Sequence, residues 1–255
     1  MKRSFTLALI LISSASRLPA QSLASRVARA GNGNLRFTYA SRPDVCGSGE
    51  NMIQSGDHDR VMNQRGDGDR NCPCEYGPVR LTLEVRGGAV TRVRTAVGGR
   101  PRGEATDLGA VGTRDAVAYL FSLARGSNSR VSEEAIFPIT LADSVTPWPE
   151  MLRLAKDQEV GRAARKSAVF WLGQAAGDAA TAGLTELAEN DEDREVKEAA
   201  VFSLSQLHDG QGVPALIHIA RSNRDPRIRR TALFWLGQSD DPRALALFEE
   251  LLSNK

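Results

Sequence analysis

Ala168-Val169-Phe170-Trp171-Leu172-Gly173-Gln174 returns as Ala200-Val201-Phe202-Ser203-Leu204-Ser205-Gln206, and again as Ala232-Leu233-Phe234-Trp235-Leu236-Gly237-Gln238, each copy 32 residues after the last. A second series keeps the same step: Leu184, Leu216 and Phe248; Leu187, Ile219 and Leu251; Ala188, Ala220 and Leu252. Two independent series in one register mark a repeated unit built of two elements.

Each element reads as a helix. Val196, Ala200 and Leu204, like Ile228, Ala232 and Leu236, fall four apart and so share one face of a 3.6-residue period. The small Ala in mid-helix lets neighbouring helices approach closely. Polar breaks mark the turns before the second helices: Gly177-Asp178, Asp209-Gly210 with Gly212, and Asp240-Asp241-Pro242. Asp193 and Asp225-Pro226 open the next first helices, where Pro is tolerated in the first turn. A hairpin of this kind cannot bury both faces alone, so the units must stack around one elongated core. Three full units follow Asp157. A degenerate unit precedes them from Ser132, where Ala135 to Ala142 echoes Ala168 to Ala175 with a one-residue shift and Leu152 lies 32 before Leu184. Pro138 would break or kink a helix there, so a loop plus one helix is the alternative.

These units resemble the short bacterial type of HEAT repeat, also found in phycobilin lyases, over roughly 100 to 120 residues. The resemblance implies a right-handed superhelical solenoid that binds protein, or less often a small ligand, along its curved face. It implies no particular activity.

The other end of the chain reads differently. Met1-Lys2-Arg3 is a cationic start, Phe5 to Ile12 an apolar stretch too short to span a bilayer, and Ser13 to Ala20 a small, polar segment. The expectation is a signal peptide over 1–20, cut after Ala20, with a cut after Ala24 as the alternative, and hence a periplasmic or secreted protein. No cysteine near the cut invites a lipid anchor, and no later apolar run reaches the roughly 20 residues of a transmembrane helix. With 33 basic against 31 acidic residues, charge gives no reason to expect a nucleic-acid partner. Export makes disulfides the natural fate of cysteines. Cys72 and Cys74 are too close to bridge each other across Pro73, so Cys46 is expected to pair with one of them, Cys74 being preferred. A zinc site would need a fourth ligand, and His58 is spaced unlike any zinc knuckle.

Residues 21–110 read as a small β-rich, disulfide-closed domain. Val79 to Arg86 alternates strictly, Gly87-Gly88 makes a turn, and Val90 to Val97 alternates back, so a hairpin is predicted. One of its faces is apolar. The other carries Arg80, Arg86, Arg92 and Arg94, a solvated face or a possible anion-binding one, partly neutralised by Glu84. Leu35 to Tyr39 is a candidate third strand, and Gly47 to Asn71 reads as a long polar loop. A connecting helix, placed in 111–131, starts at Thr113 and buries Val117, Leu120, Phe121 and Ala124. The fold class is therefore α+β, with an α-solenoid over 132–255.

Catalytic patterns do not emerge. Asp67-x-Asp69-x-Asn71, near Asp57 and Asp59, has the opening spacing of a calcium loop, but Cys72 replaces the needed Gly and Pro78 the bidentate Glu. His208 and His218 lack a second ligand at helical spacing, and no His-Glu dyad of the kind used by HEAT-like hydroxylases occurs. There is no Gly-x-Ser-x-Gly elbow, and Gly31-Asn32-Gly33 and Gly66-Asp67-Gly68 lack the Lys-Ser/Thr of a phosphate cradle. Phe170, Phe202 and Phe234, with Trp171 and Trp235, read as inter-repeat core, with a ligand-stacking ladder as the alternative. The expected function is an exported, non-enzymatic scaffold without catalytic, metal or cofactor residues, whose partner is another envelope or secreted protein docked on residues that vary between units. A lyase-like or hydrolytic enzyme with an interdomain site, and small-anion binding by the β-domain, are the alternatives.

Overall fold

Alternation along Val79–Arg86 (β6) puts Val79, Leu81, Leu83 and Val85 into the core and leaves Arg80 and Glu84 half-buried on the opposite face. In a computed structural model that describes residues 22–49, 52–55, 61–63, 74–175 and 178–253, β6 is one of the two inner strands of a four-stranded sheet. It pairs with Ala89–Ala96 (β7) through the Gly87-Gly88 turn. Both turn glycines have positive φ, 58° and 77°, as a two-residue hairpin loop matched to strand twist requires. Gly33–Tyr39 (β1) pairs antiparallel with β6 on its other side, and Thr106–Ala110 (β8) adds in parallel at the edge. The expected leader over 1–20, His58, the carboxylates Asp57, Asp59, Asp67 and Asp69, Cys72 and the Gly177 turn lie outside the described residues.

The segment read as a long polar loop is in part a second sheet. Cys46–Gly47 (β2), Met52–Gln54 (β3), Val61–Asn63 (β4) and Glu75–Tyr76 (β5) pair in the order β4-β3-β2-β5. Strands of two or three residues are too short to show an alternating pattern. A disulfide joins Cys46 to Cys74 across this sheet. The small sheet meets the large one where Gly49 N–H donates to the Val97 carbonyl at 2.8 Å.

Leu23–Ala30 (α1) opens the described chain, its Ser22 side chain accepting from the Ser25 N–H and its Leu23 and Val27 buried one turn apart. Thr113–Ala124 (α2), Ser129–Glu134 (α3) and Ile136–Thr140 (α4) follow the sheet. Pro138 does not abolish helix: the chain divides it at Ala135 and places proline in the first turn of α4, where no intrahelical N–H is needed. Trp148–Lys156 (α5) completes this degenerate unit. Three hairpins then stack: Arg162–Ala175 (α6) with Asp178–Asn190 (α7), Arg194–Ser205 (α8) with Val213–Ser222 (α9), and Pro226–Leu236 (α10) with Pro242–Ser253 (α11). First helices pack on first helices and second on second, α6 on α8 on α10 and α5 on α7 on α9 on α11.

Polar contacts repeat with the hairpins. Asp193 and Asp225 each cap a first helix, accepting from Glu195 N–H at 2.9 Å and Arg227 N–H at 2.8 Å. The basic residues at 165, 197 and 229 each donate to a carbonyl ending the preceding second helix: Arg165 to Ala155 at 2.9 Å, Lys197 to Glu189 at 3.0 Å, Arg229 to Asn223 at 2.7 Å. A cation there satisfies an orphan carbonyl and faces the negative end of the helix dipole.

One continuous apolar core runs from Leu23 through the sheet to Leu247. The sheet is also tied to the helices by hydrogen bonds: Tyr39 Oη donates to the Pro138 carbonyl at 2.6 Å, and Asp143 N–H to the Ala40 carbonyl at 3.0 Å. Burial pushes the Tyr39 phenol well above its ordinary 10.0. Tyrosine ionising at its ordinary value in the unfolded chain but not in the folded one stabilises fully below about pH 10 and progressively less as pH rises toward the folded value. Tyr119, pushed up to about 12 by burial, adds a smaller contribution of the same sign. Tyr39→Phe is expected to cost about 0.5–1.5 kcal/mol at neutral pH. Urea unfolding between about pH 9 and 11 should show a shallower fall in stability for the variant than for the parent.

Candidate functional site

On each first helix the repeated Ala and Leu, 168 and 172, 200 and 204, 232 and 236, are sealed in the core. The Phe two residues after each Ala is turned by about 200° on a helix and so cannot share that face. Phe170 and Phe202 are accordingly half-buried and Phe234 is 58% exposed. Trp171 and Trp235 pack against the core as expected, whereas the phenylalanines, also expected as inter-repeat core, lie partly open and make a stripe across the stack.

Ring contacts make the stripe continuous. Phe137 stacks on Trp171 at 4.8 Å between centroids, Trp171 meets Phe170 edge-on at 5.1 Å, and Phe170 lies parallel to Phe202 at 6.4 Å. Phe202 reaches Trp235 at 5.0 Å, and Trp235 meets Phe234 at 5.0 Å. Separations of 4.5–7 Å suit offset and edge-to-face aromatic packing. Ser203 interrupts the Trp series for a steric reason: a Cβ placed on Gly173 would stand 2.8 Å from the Ser203 Cβ, so α6 and α8 touch there and a large ring at 203 has no room.

At its N-terminal end the stripe floors a groove of about 610 Å³ lined by Glu133, Arg162, Lys166, Phe170, Trp171 and Glu195. The rim is a network of paired charges: Arg162 binds Asp193 and, at 2.7 Å, Glu195, while Lys166 reaches Glu195 at 2.8 Å. The Lys166 hydrogen bond and charge, helped by Arg162, hold the Glu195 carboxyl below its usual range. Burial raises the Asp193 carboxyl, but hydrogen bonds from Arg162 and backbone N–H groups outweigh it and leave it lowered. Both acids are therefore fixed anions at neutral pH rather than proton donors.

The other sequence-derived candidates scatter. Arg86 pairs with Glu84 and Arg92 with Glu134 at 3.7 Å. Arg80 Nη2 donates to the carbonyls of Gly98 at 2.7 Å and Gly99 at 3.2 Å, and Arg94 sits beside Thr82 in the β6–β7 register. His218 lies 3.1 Å from Glu189, and His208 is exposed in a 3₁₀ turn over His208–Gly210. Among the described residues no cluster of three His, Cys, Asp or Glu comes together, and no helix is long and apolar enough to cross a membrane. At the far end of the stack Leu245, Leu251 and Leu252 are exposed, whereas Val213, one repeat before Leu245, is buried under the next hairpin.

The family described as HEAT repeats matches residues 181–255, from within α7 to the C-terminal residue. No curated protein matches the chain.

Proposed function

We propose that this chain, whose C-terminal part is a stack of HEAT repeats, is an exported, non-enzymatic scaffold that docks another envelope or secreted protein on its aromatic stripe. The observation that carries the reading is the continuous row from Trp171 to Phe234, half-open along first helices of successive repeats, with buried Phe137 stacked on its end and fixed charges bordering it at the Arg162–Glu195 groove. Aromatic surface with a charged rim is the composition of protein-binding hot spots. The ionised acids of the rim suit recognition of charge better than acid catalysis.

Of the two expected cuts, the first fits the geometry of α1 better. A cut after Ala20 leaves α1 whole, with its Ser22 cap. A cut after Ala24 would remove that cap and Leu23, which is 3% exposed in the core. The Cys46–Cys74 bridge fits an oxidising compartment.

The mature protein, crosslinked in an envelope fraction, should capture a discrete partner. Phe234→Asp should cut that capture about tenfold or more, since a truncated interface hot spot costs about 2 kcal/mol, while leaving unfolding nearly unchanged because the side chain is 58% exposed. Capture of no envelope protein by the parent would end the scaffold reading.

A further inference from the structure

Four arginines converge on a cavity of about 160 Å³ on the polar face of the large sheet, far in sequence from the repeats. Two stand on neighbouring strands: Arg36 on β1 lies opposite Thr82 on β6, two residues along from Arg80 and on the same face. The other two, Arg100 and Arg102, come from the loop joining β7 to β8, and Ser48 and Gly49, just after β2, line the cavity with Thr82 and Ala96. No carboxylate lines it among the described residues.

The arrangement is held from below. Arg36 Nη2 donates to the carbonyls of Arg102 at 3.0 Å and Gly103 at 3.1 Å, as Arg80 does to Gly98 and Gly99. The loop must therefore lie close over the strands, and Gly98 makes this possible. Its φ is +60°, and a Cβ there would stand 2.3 Å from the Gly47 carbonyl oxygen. Guanidinium groups gathered around one cavity repel one another, and an anion seated among them offsets that repulsion.

We propose that this pocket binds a tetrahedral oxyanion of the phosphate class, free or as the end group of an ester. Guanidinium forks match phosphate oxygens in charge and planar geometry. Size sets what enters: a cavity of about 150 Å³ holds a ring of about six carbon atoms, so 160 Å³ holds the phosphate group itself and leaves any ester substituent outside. Arg100 and Arg102 are exposed, so the mouth is theirs and an ester substituent would leave past them. The proposal does not depend on what docks on the solenoid.

Calorimetry on the disulfide-bonded protein, titrated with inorganic phosphate and with glycerol phosphate at physiological salt, tests it. At least one should bind, and which one identifies the free anion or the ester. Arg100→Ala/Arg102→Ala, at exposed positions that leave the fold intact, should weaken binding about tenfold or more, a charge-assisted contact to each being lost. Arg86→Ala, outside the cavity and paired with Glu84, should leave the affinity unchanged. Binding of neither ligand, equal affinity in the double variant, or an equal loss in Arg86→Ala would each overturn the site.

Discussion

Asp191→Ala is expected to lower stability by about 3–5 kcal/mol, because it strands a buried cation. Arg165 and Asp191 are 3% and 1% exposed in their side chains. The guanidinium binds Asp191 through Nη2 and donates from Nε to the Ala155 carbonyl at 2.9 Å. The other Asp191 oxygen accepts from the Asp193 N–H at 2.8 Å, fixing the turn into α8. Truncation removes the counter-charge and the turn together. Asp191→Asn should cost less, since one repeat later Asn223 performs the same turn, accepting from the Asp225 N–H at 3.0 Å and donating to the Ala188 carbonyl at 3.2 Å. Arg165→Met combined with Asp191→Asn should recover most of the loss, as apolar replacement of a buried pair often does. Urea unfolding at neutral pH decides it. A loss under about 1 kcal/mol for Asp191→Ala would mean that water reaches the guanidinium.

The second large effect is at the other end of the molecule. Cys46 and Cys74 are 28 residues apart, and opening a closed loop of that length should cost about 3–4 kcal/mol on chain entropy. Beyond Val45 and Ile53, which reach the core, and the Gly49–Val97 bridge, the small sheet is thin: β2 and β5 are two residues each and β3 is three. Cys46→Ala/Cys74→Ala should therefore lose hydrogen-exchange protection at Cys46–Gly47 and Met52–Gln54 first. Protection in α8 and α10 should persist, because their core residues Ala200, Leu204, Ala232 and Leu236 are sealed by neighbouring repeats. Equal loss of protection in both places would show that the two parts unfold as one unit.

What could be read from the sequence depended on the range of the forces involved. The repeats were legible because stacking identical units forces identical residues to recur, as Ala168, Ala200 and Ala232 do. The β6–β7 hairpin was legible because period-two alternation and a Gly-Gly turn are local. The small sheet was not, since its strands are shorter than any pattern. Strand β8, with Asp107 and Gly109, carries no apolar alternation and is placed by pairing with β1. The candidate site divides the same way. Phe170, Phe202 and Phe234 stood out by spacing, but their exposure followed only once the helix face was fixed by Ala168 and Leu172. Of the arginines singled out on the hairpin face, Arg86 and Arg92 are occupied by carboxylates and only Arg80 lines the cavity. Its companions Arg36, Arg100 and Arg102 come from β1 and a loop, a convergence that only tertiary structure creates.

The most direct test of docking on the stripe is site-specific photocrosslinking in the cell envelope, with the photoreactive side chain placed at Phe170 or Phe234 on the stripe, or at exposed Ala182 on the second-helix row. The account predicts the same discrete protein adduct from positions 170 and 234 and none from 182. Adducts of equal yield from all three positions, or none from the stripe, would contradict it.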